Sequence, residues 1–325
     1  VRFGKKVIEV ATFRSGNIDE EELITRDNNW GSPEEDALRR DFTINGLFYD
    51  SDKGSIIDYF GGVDDLQQHL LKTIGDPNLR FKQDPVRMIR LLKFMARFEL
   101  NVDPDTLKAL ESCRYEIVKS SPARILEEIL KMLESGSSAP FFKLMQKHGF
   151  FKILIPKLHD CLCAPQNEKI FSYLREADKL TTHPSSPSLQ RGTLLACIFF
   201  PILEKKVQNF FLEKGCLANL GDIFLIAQDL INNVIASSFS HFPKKLKGQL
   251  LDILITQYRM TPLKSRIVKS KKILNHTEFT SSLQFLKIRS LIDDKLLNTY
   301  NSWMQRKNKQ IPENTPPSKE KLNTR

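Results

Sequence analysis

The chain has 325 residues, 41% of them hydrophobic, enough for a substantial core and two or three domains. No apolar stretch approaches the ~20 residues of a membrane span, no signal-peptide pattern opens the sequence, and its five scattered cysteines, without a paired histidine motif, fit reduced cytoplasmic thiols better than disulfides or zinc. The net charge of +10 is uneven, since residues 1–66 carry eight Lys/Arg against fifteen Asp/Glu and the remainder 41 against 24.

Residues 1–14 read as a strand pair, with Lys6 to Phe13 rich in β-branched side chains and Glu9 set between Ile8 and Val10. On a strand such an acid points away from its apolar neighbours, so solvent is its plain reading. A polar loop runs from Ser15 to Asn29. Gly31-Ser32-Pro33-Glu34-Glu35 then has the marks of a helix entry: a serine cap, proline at the first position and acids in the first turn. That helix leads into Arg39-Arg40-Asp41-Phe42-Thr43-Ile44-Asn45. Ile56-Ile57-Asp58-Tyr59 is a short strand broken by Gly61-Gly62, which is best read as a hinge, a reading compatible with a tight turn.

From Gln67 onward the pattern is helical. Asp84 can cap a helix with Pro85 at its first position, whose apolar face is Val86, Ile89, Leu92 and Met95, with Arg87, Arg90, Lys93 and Arg97 on the other side. Ser121-Pro122 opens another helix in the same way, and Arg124 there can pair with Glu127 and Glu128 one turn on. Amphipathic segments follow around 141–147, 169–180, 194–200, 223–235, 246–258 and 278–286. The apolar run from Leu194 to Leu203 contains Pro201 and reads as a buried helix end. The last twenty residues have the composition of a disordered basic tail.

Two segments carry charge beside apolar residues, Arg39 to Asn45 and Asp84-Pro85-Val86-Arg87-Met88-Ile89-Arg90, so their charges must sit at the edge of a core. That combination suits a pocket for a charged, planar ligand such as a nucleoside triphosphate. Plainer readings stand beside it: Asp41 paired with Arg40, Asn45 capping a turn, Asp84 as a helix cap, Arg87 and Arg90 solvated. The acidic first segment and basic remainder fit a polyanion lying across the body with its end in a carboxylate-bearing site, as does any generically basic surface.

The run Glu9-Val10-Ala11-Thr12-Phe13-Arg14, the Arg39–Asn45 segment, Asp58-Tyr59-Phe60-Gly61-Gly62-Val63-Asp64-Asp65-Leu66, the Asp84–Arg90 segment and Ser121-Pro122-Ala123-Arg124-Ile125-Leu126-Glu127-Glu128 stand in the order found in one family. Over residues 1 to about 160 the chain resembles the class II tRNA nucleotidyltransferase and bacterial poly(A) polymerase family. The resemblance implies an α+β fold, in which part of a polymerase-β-like nucleotidyltransferase head (1–66) is followed by a helical neck that recognises the nucleotide (67–135). A helical, RNA-binding body and tail (136–305) and the basic terminus (306–325) complete it.

It further implies Asp41 and Glu9 as active-site carboxylates, and Arg40, Asn45, Asp84, Arg87 and Arg90 as nucleotide contacts. ATP is then the substrate, Mg²⁺ the cofactor and an RNA 3′ end the partner. The family's Gly-Ser element and metal-holding Asp-x-Asp pair have no counterpart in residues 1–325; they are expected upstream, and without them the chain is expected to be inactive. Gln83 stands where the family usually has Glu, and Lys93 where an Arg is frequent. The stretch Arg26 to Ala37 resembles the poly(A) branch more than the CCA-adding branch. The implied activity is addition of AMP from ATP to RNA 3′ ends. CCA addition to tRNA, a non-catalytic RNA-binding module and a helical interaction scaffold are the competing readings.

Overall fold

The computed structural model describes residues 1–4, 6–15, 23, 29–163, 168–236, 238–239, 242–264 and 270–310. Its first part is made of short antiparallel pairs: β1 (Arg2–Phe3) with β2 (Lys6–Val7) and β3 (Arg14–Ser15) with β4 (Asn29–Trp30). The strand expected through Glu9 ends at Val7. β1 pairs with Lys6 and Val7, Ile8 still exchanges backbone hydrogen bonds with Val1 at 2.8 and 2.7 Å, and residues 9–12 have no strand partner among the described residues. Glu9 is therefore exposed on irregular backbone, with no hydrogen bond or ion pair among the described residues.

Helix α1 (Pro33–Leu38) begins as its sequence dictates. The Ser32 hydroxyl accepts from the Glu35 amide at 3.2 Å, the Glu35 carboxylate accepts from the Ser32 amide at 2.6 Å, and Pro33 occupies the first turn. The chain then turns inward, burying Phe42 and Thr43, and Thr43–Asn45 form a single 3-10 turn. The hairpin of β5 (Phe48–Asp50) and β6 (Ser55–Ile57) follows, its turn closed by the Asp50 carboxylate on the amides of Asp52 and Lys53. Val7, Val10, Trp30, Tyr49 and Ile56 are all exposed, so these strands bury little of their own apolar surface.

Gly61-Gly62 forms a tight turn. Gly61 sits at φ +76°, where a side chain is strained, and a Cβ on Gly62 would run into the Thr43 carbonyl. Asp58 fastens the turn by accepting from the amides of Phe60, Gly62 and Val63, and these bonds hold its carboxyl below the usual range against the opposing effect of burial.

After α2 (Gly62–Gln67), a two-residue parallel pair joins β7 (Leu70–Leu71) to β8 (Asn101–Val102). The other described elements are helices. The next segment holds α3 (Pro77–Gln83), α4 (Val86–Phe98), α5 (Pro104–Cys113) and α6 (Pro122–Leu133). Beyond it come α7 (Ser138–Lys147), α8 (Phe150–Leu154), α9 (Pro156–Cys163), α10 (Glu168–Thr182), α11 (Arg191–Lys214) and α12 (Leu220–Ile231). The series ends with α13 (Lys244–Met260), α14 (Ser270–Leu274), α15 (Phe279–Ser290) and α16 (Leu297–Gln310).

One apolar core runs without a break from Phe42 to Ile288, and a smaller one gathers Met260, Phe279 and Leu286 around Trp303. Pro201 does not end a helix but lies inside α11, because Leu194–Phe200 before it and Ile202, Leu203 and Val207 after it are all buried in the same core. Packing on both sides of the proline outweighs the ~3 kcal/mol an interior proline costs. α16 reaches Gln310, into the stretch expected to be disordered, and residues 311–325 lie outside the described ones. No described helix is long and apolar enough to cross a membrane.

α7 receives its N-cap from a residue far away in sequence. The buried Asp178 of α10 accepts from the Ser138 amide at 2.8 Å, the Ser138 hydroxyl at 2.7 Å and the Ala139 amide at 2.8 Å. Asp178→Ala leaves all three donors unpaired in the core and is expected to cost about 2 kcal/mol in urea unfolding. A loss below about 0.5 kcal/mol shows that water replaces the carboxylate.

Candidate functional site

The first part meets α3 and α4 at the C-terminal end of α1, where unpaired helix carbonyls attract cations. Two buried arginines supply them. Arg80 of α3, fully enclosed, donates through Nη2 to the carbonyls of Leu38 and Arg40 at 3.1 and 3.0 Å, and through Nη1 to the Gln83 side chain at 3.1 Å. Arg87 of α4 donates through Nη2 to the Arg39 carbonyl at 2.9 Å.

Asp41 follows directly and receives the next two contacts. Its Oδ1 accepts from Arg87 Nε at 2.9 Å and its Oδ2 from Arg90 Nη1 at 2.8 Å. Arg90 also reaches Glu128 of α6 at 3.3 Å, and Glu128 accepts from Lys93 at 3.2 Å. On the other side of α1, Asp36 holds Arg40 at 2.9 Å and Arg39 at 3.5 Å, while the Arg40 guanidinium lies over the Phe48 ring, 5.3 Å from its centre.

The structure brings Asp41, Arg87 and Arg90 together as one cluster. Sequence and structure differ on orientation. Arg87, expected on the outward side of its helix, is buried with 5% of its side chain exposed, because Asp41 and the end of α1 cover it. Asp84 does not cap α4, whose first turn begins at Val86 with Pro85 before it and no side-chain cap. Its Oδ2 instead accepts from Arg124 Nη2 at 2.8 Å. Arg124 therefore does not brace its own helix: Glu127 is held by Arg191 at 2.9 Å and Glu128 by Arg90 and Lys93. Arg40 is half exposed, Asn45 half buried in the 3-10 turn, and Glu9 makes no contact with the cluster among the described residues.

Sequence reasoning missed Arg80 and the Asp84–Arg124 pair. A basic residue in a helix carries no sign of burial, and the partners lie about forty residues apart.

Electrostatically the joint has spare positive charge. Among the described residues, the cations Arg40, Arg80, Arg87, Arg90, Lys93 and Arg124 outnumber the carboxylates Asp36, Asp41, Asp84 and Glu128 with which they meet. Burial, then the nearby Arg87 charge, push the Arg80 pKa down to about 9, so it remains cationic at neutral pH. Arg39 is lowered by burial and by Arg14, Arg87 and Arg40. Arg90 is raised, because Asp41 and then Glu128 outweigh its burial. Cations that depress one another in this way favour the arrival of an anion.

Three buried polar atoms here have no partner among the described residues: Asp84 Oδ1, an acceptor, and Arg80 Nε and Arg87 Nη1, both donors. Buried polar atoms are nearly always satisfied in proteins, by ordered water or a ligand where no side chain reaches them.

A divalent metal does not fit the described residues. No group of three or more His, Cys, Asp or Glu side chains converges among them, and both oxygens of Asp41 are taken by guanidinium groups.

Residues 1–72 match the family described as Poly A polymerase head domain, and residues 99–162 the family described as probable RNA and SrmB-binding site of polymerase A. The chain is 31% identical to Poly(A) polymerase I of Escherichia coli O6:H1 over 309 residues, and 30% identical to that of Salmonella typhi over 308. Both alignments cover 90% of this chain and 65% of the relative, so the chain spans just under two thirds of these proteins. A CCA-adding enzyme of Lactobacillus johnsonii is 41% identical over 115 residues, 35% of this chain and 29% of that one. Among solved structures, a tRNA nucleotidyltransferase complexed with a primer tRNA and an incoming ATP analog superposes with a TM-score of 0.51 at 20% identity, covering 87% of this chain and 75% of the other. A tRNA-processing enzyme in its apo form gives 0.53 at 20% identity, with 85% and 71% covered. These two likenesses concern the fold.

Proposed function

Because the chain belongs to the poly(A) polymerase and tRNA nucleotidyltransferase family, we propose that it is the nucleotide-selecting and RNA-binding part of a template-independent RNA nucleotidyltransferase that adds AMP from ATP to RNA 3′ ends. The observation that carries this reading is the orphan pair, Asp84 Oδ1 and Arg87 Nη1. A base bound there must offer a donor to the carboxylate and an acceptor to the guanidinium. Adenine and cytosine do so, with an exocyclic amino group beside an unprotonated ring nitrogen. Guanine and uracil present a carbonyl and a ring N–H at those places, and the carboxylate repels the carbonyl.

The other residues have chemistry to match. The surplus of guanidinium groups, Arg124 and Arg40 the most exposed, suits a triphosphate. Asn45 suits a ribose hydroxyl. In the reaction the RNA 3′ hydroxyl attacks the α-phosphorus, a new phosphodiester bond forms and pyrophosphate departs with the electrons of the broken bond. Glu9 and a Mg²⁺ site enter no step derived from these residues. ATP rather than CTP is favoured because the poly(A) polymerases align with 90% of the chain, whereas the CCA-adding enzymes align with 35–41%. A cytoplasmic location, where RNA ends and ATP are available, goes with this reading.

Equilibrium titration of the protein with the four triphosphates tests it. ATP is expected to bind at least about tenfold more tightly than GTP and UTP, the weight of one charged hydrogen bond. Equal binding of all four removes the base-reading role. CTP bound more tightly than ATP moves the assignment to CCA addition.

A further inference from the structure

We infer that Arg124 is a positioning residue for base selection: it holds the Asp84 carboxylate so that one oxygen stays free to read the base. The inference rests on the function proposed above.

Asp84 stands between α3 and α4 on non-helical backbone, at φ −142° and ψ 88°. No cap bond fixes its side chain, and two guanidinium groups nearby have unmatched donors, Nε of Arg80 and Nη1 of Arg87. The charges of Arg80 and Asp84 already act on one another. Left alone, the carboxylate's best move is to turn onto one of these donors. Acceptor and donor would then satisfy each other, and neither would be left for a base.

Arg124 prevents this by holding Oδ2 at 2.8 Å from the first turn of α6, leaving Oδ1 as the free oxygen. It is available because its own helix has assigned its acids elsewhere: Glu127 goes to Arg191, and Glu128 to Arg90 and Lys93. Arg124 is itself half exposed, so its pair with Asp84 adds little to stability and its effect lies in geometry.

The test measures dissociation constants for ATP and GTP on the wild type, R124A and R124K, with thermal unfolding of each. In R124A the ATP/GTP preference is expected to fall about tenfold, while the melting temperature stays within a few degrees of wild type. R124K, which keeps a cation in reach of Oδ2, recovers part of the preference. An unchanged ratio in R124A overturns the inference, as does a uniform weakening of both nucleotides, which marks a simple loss of charge. A wild type that does not prefer ATP at all overturns the proposed function, a result separate from either of these.

Discussion

Arg87→Lys is expected to weaken ATP binding by about ten- to hundredfold, the loss of one charge-assisted hydrogen bond of ~1.5–3 kcal/mol. The guanidinium uses three nitrogens in three directions: Nε to Asp41, Nη2 to the Arg39 carbonyl, and Nη1, which has no partner. A lysine ammonium is a single centre on a flexible stem and cannot hold the first two while presenting a donor in the third direction. It keeps the charge and much of the contact with Asp41, so overall folding is retained and the defect appears in nucleotide titration. GTP binding, which gains nothing from this donor, changes little, and the loss of selectivity separates base reading from phosphate attraction. A lysine variant that binds ATP as the wild type does assigns Arg87 to the joint alone.

The cluster of Asp41 with Arg87 and Arg90 was legible in the sequence because it depends on two things local patterns record: charges embedded beside apolar residues, and their order along the chain. The long helices were legible for a similar reason, since an apolar stripe at helical spacing forces burial on one side. Asp84 was misread because a local rule, an acid before proline at a helix start, competes with a partner on another helix. The partner prevailed, since a guanidinium 2.8 Å away holds a carboxylate more strongly than α4's own amides. Arg80 was invisible because what buries it is the end of α1, about forty residues earlier. Pro201 and Glu9 err in opposite senses. A continuous core carries a helix through a poor residue, whereas a good strand sequence stays irregular where no neighbour among the described residues pairs with it.

Asp41→Asn is expected to lower stability by about 3 kcal/mol, at the lower end of what breaking a buried ion pair costs. Asp41 is 13% exposed and accepts from two arginines, of which Arg87 is 5% exposed. The asparagine amide keeps the shape but brings no negative charge, so the Arg87 guanidinium is left in the core with only the Arg39 carbonyl and the neutral amide oxygen. Arg90 suffers less, because Glu128 still balances it and its side chain is a third exposed. The loss therefore belongs mostly to Arg87, and the double variant Asp41→Asn/Arg87→Met should recover about half of it by removing the stranded charge. Urea unfolding of the single and double variants decides the point. A single-variant loss below about 1 kcal/mol, or a double variant less stable than Asp41→Asn alone, means that water reaches Arg87 and that Asp41 is free to engage a substrate rather than to tie head to neck.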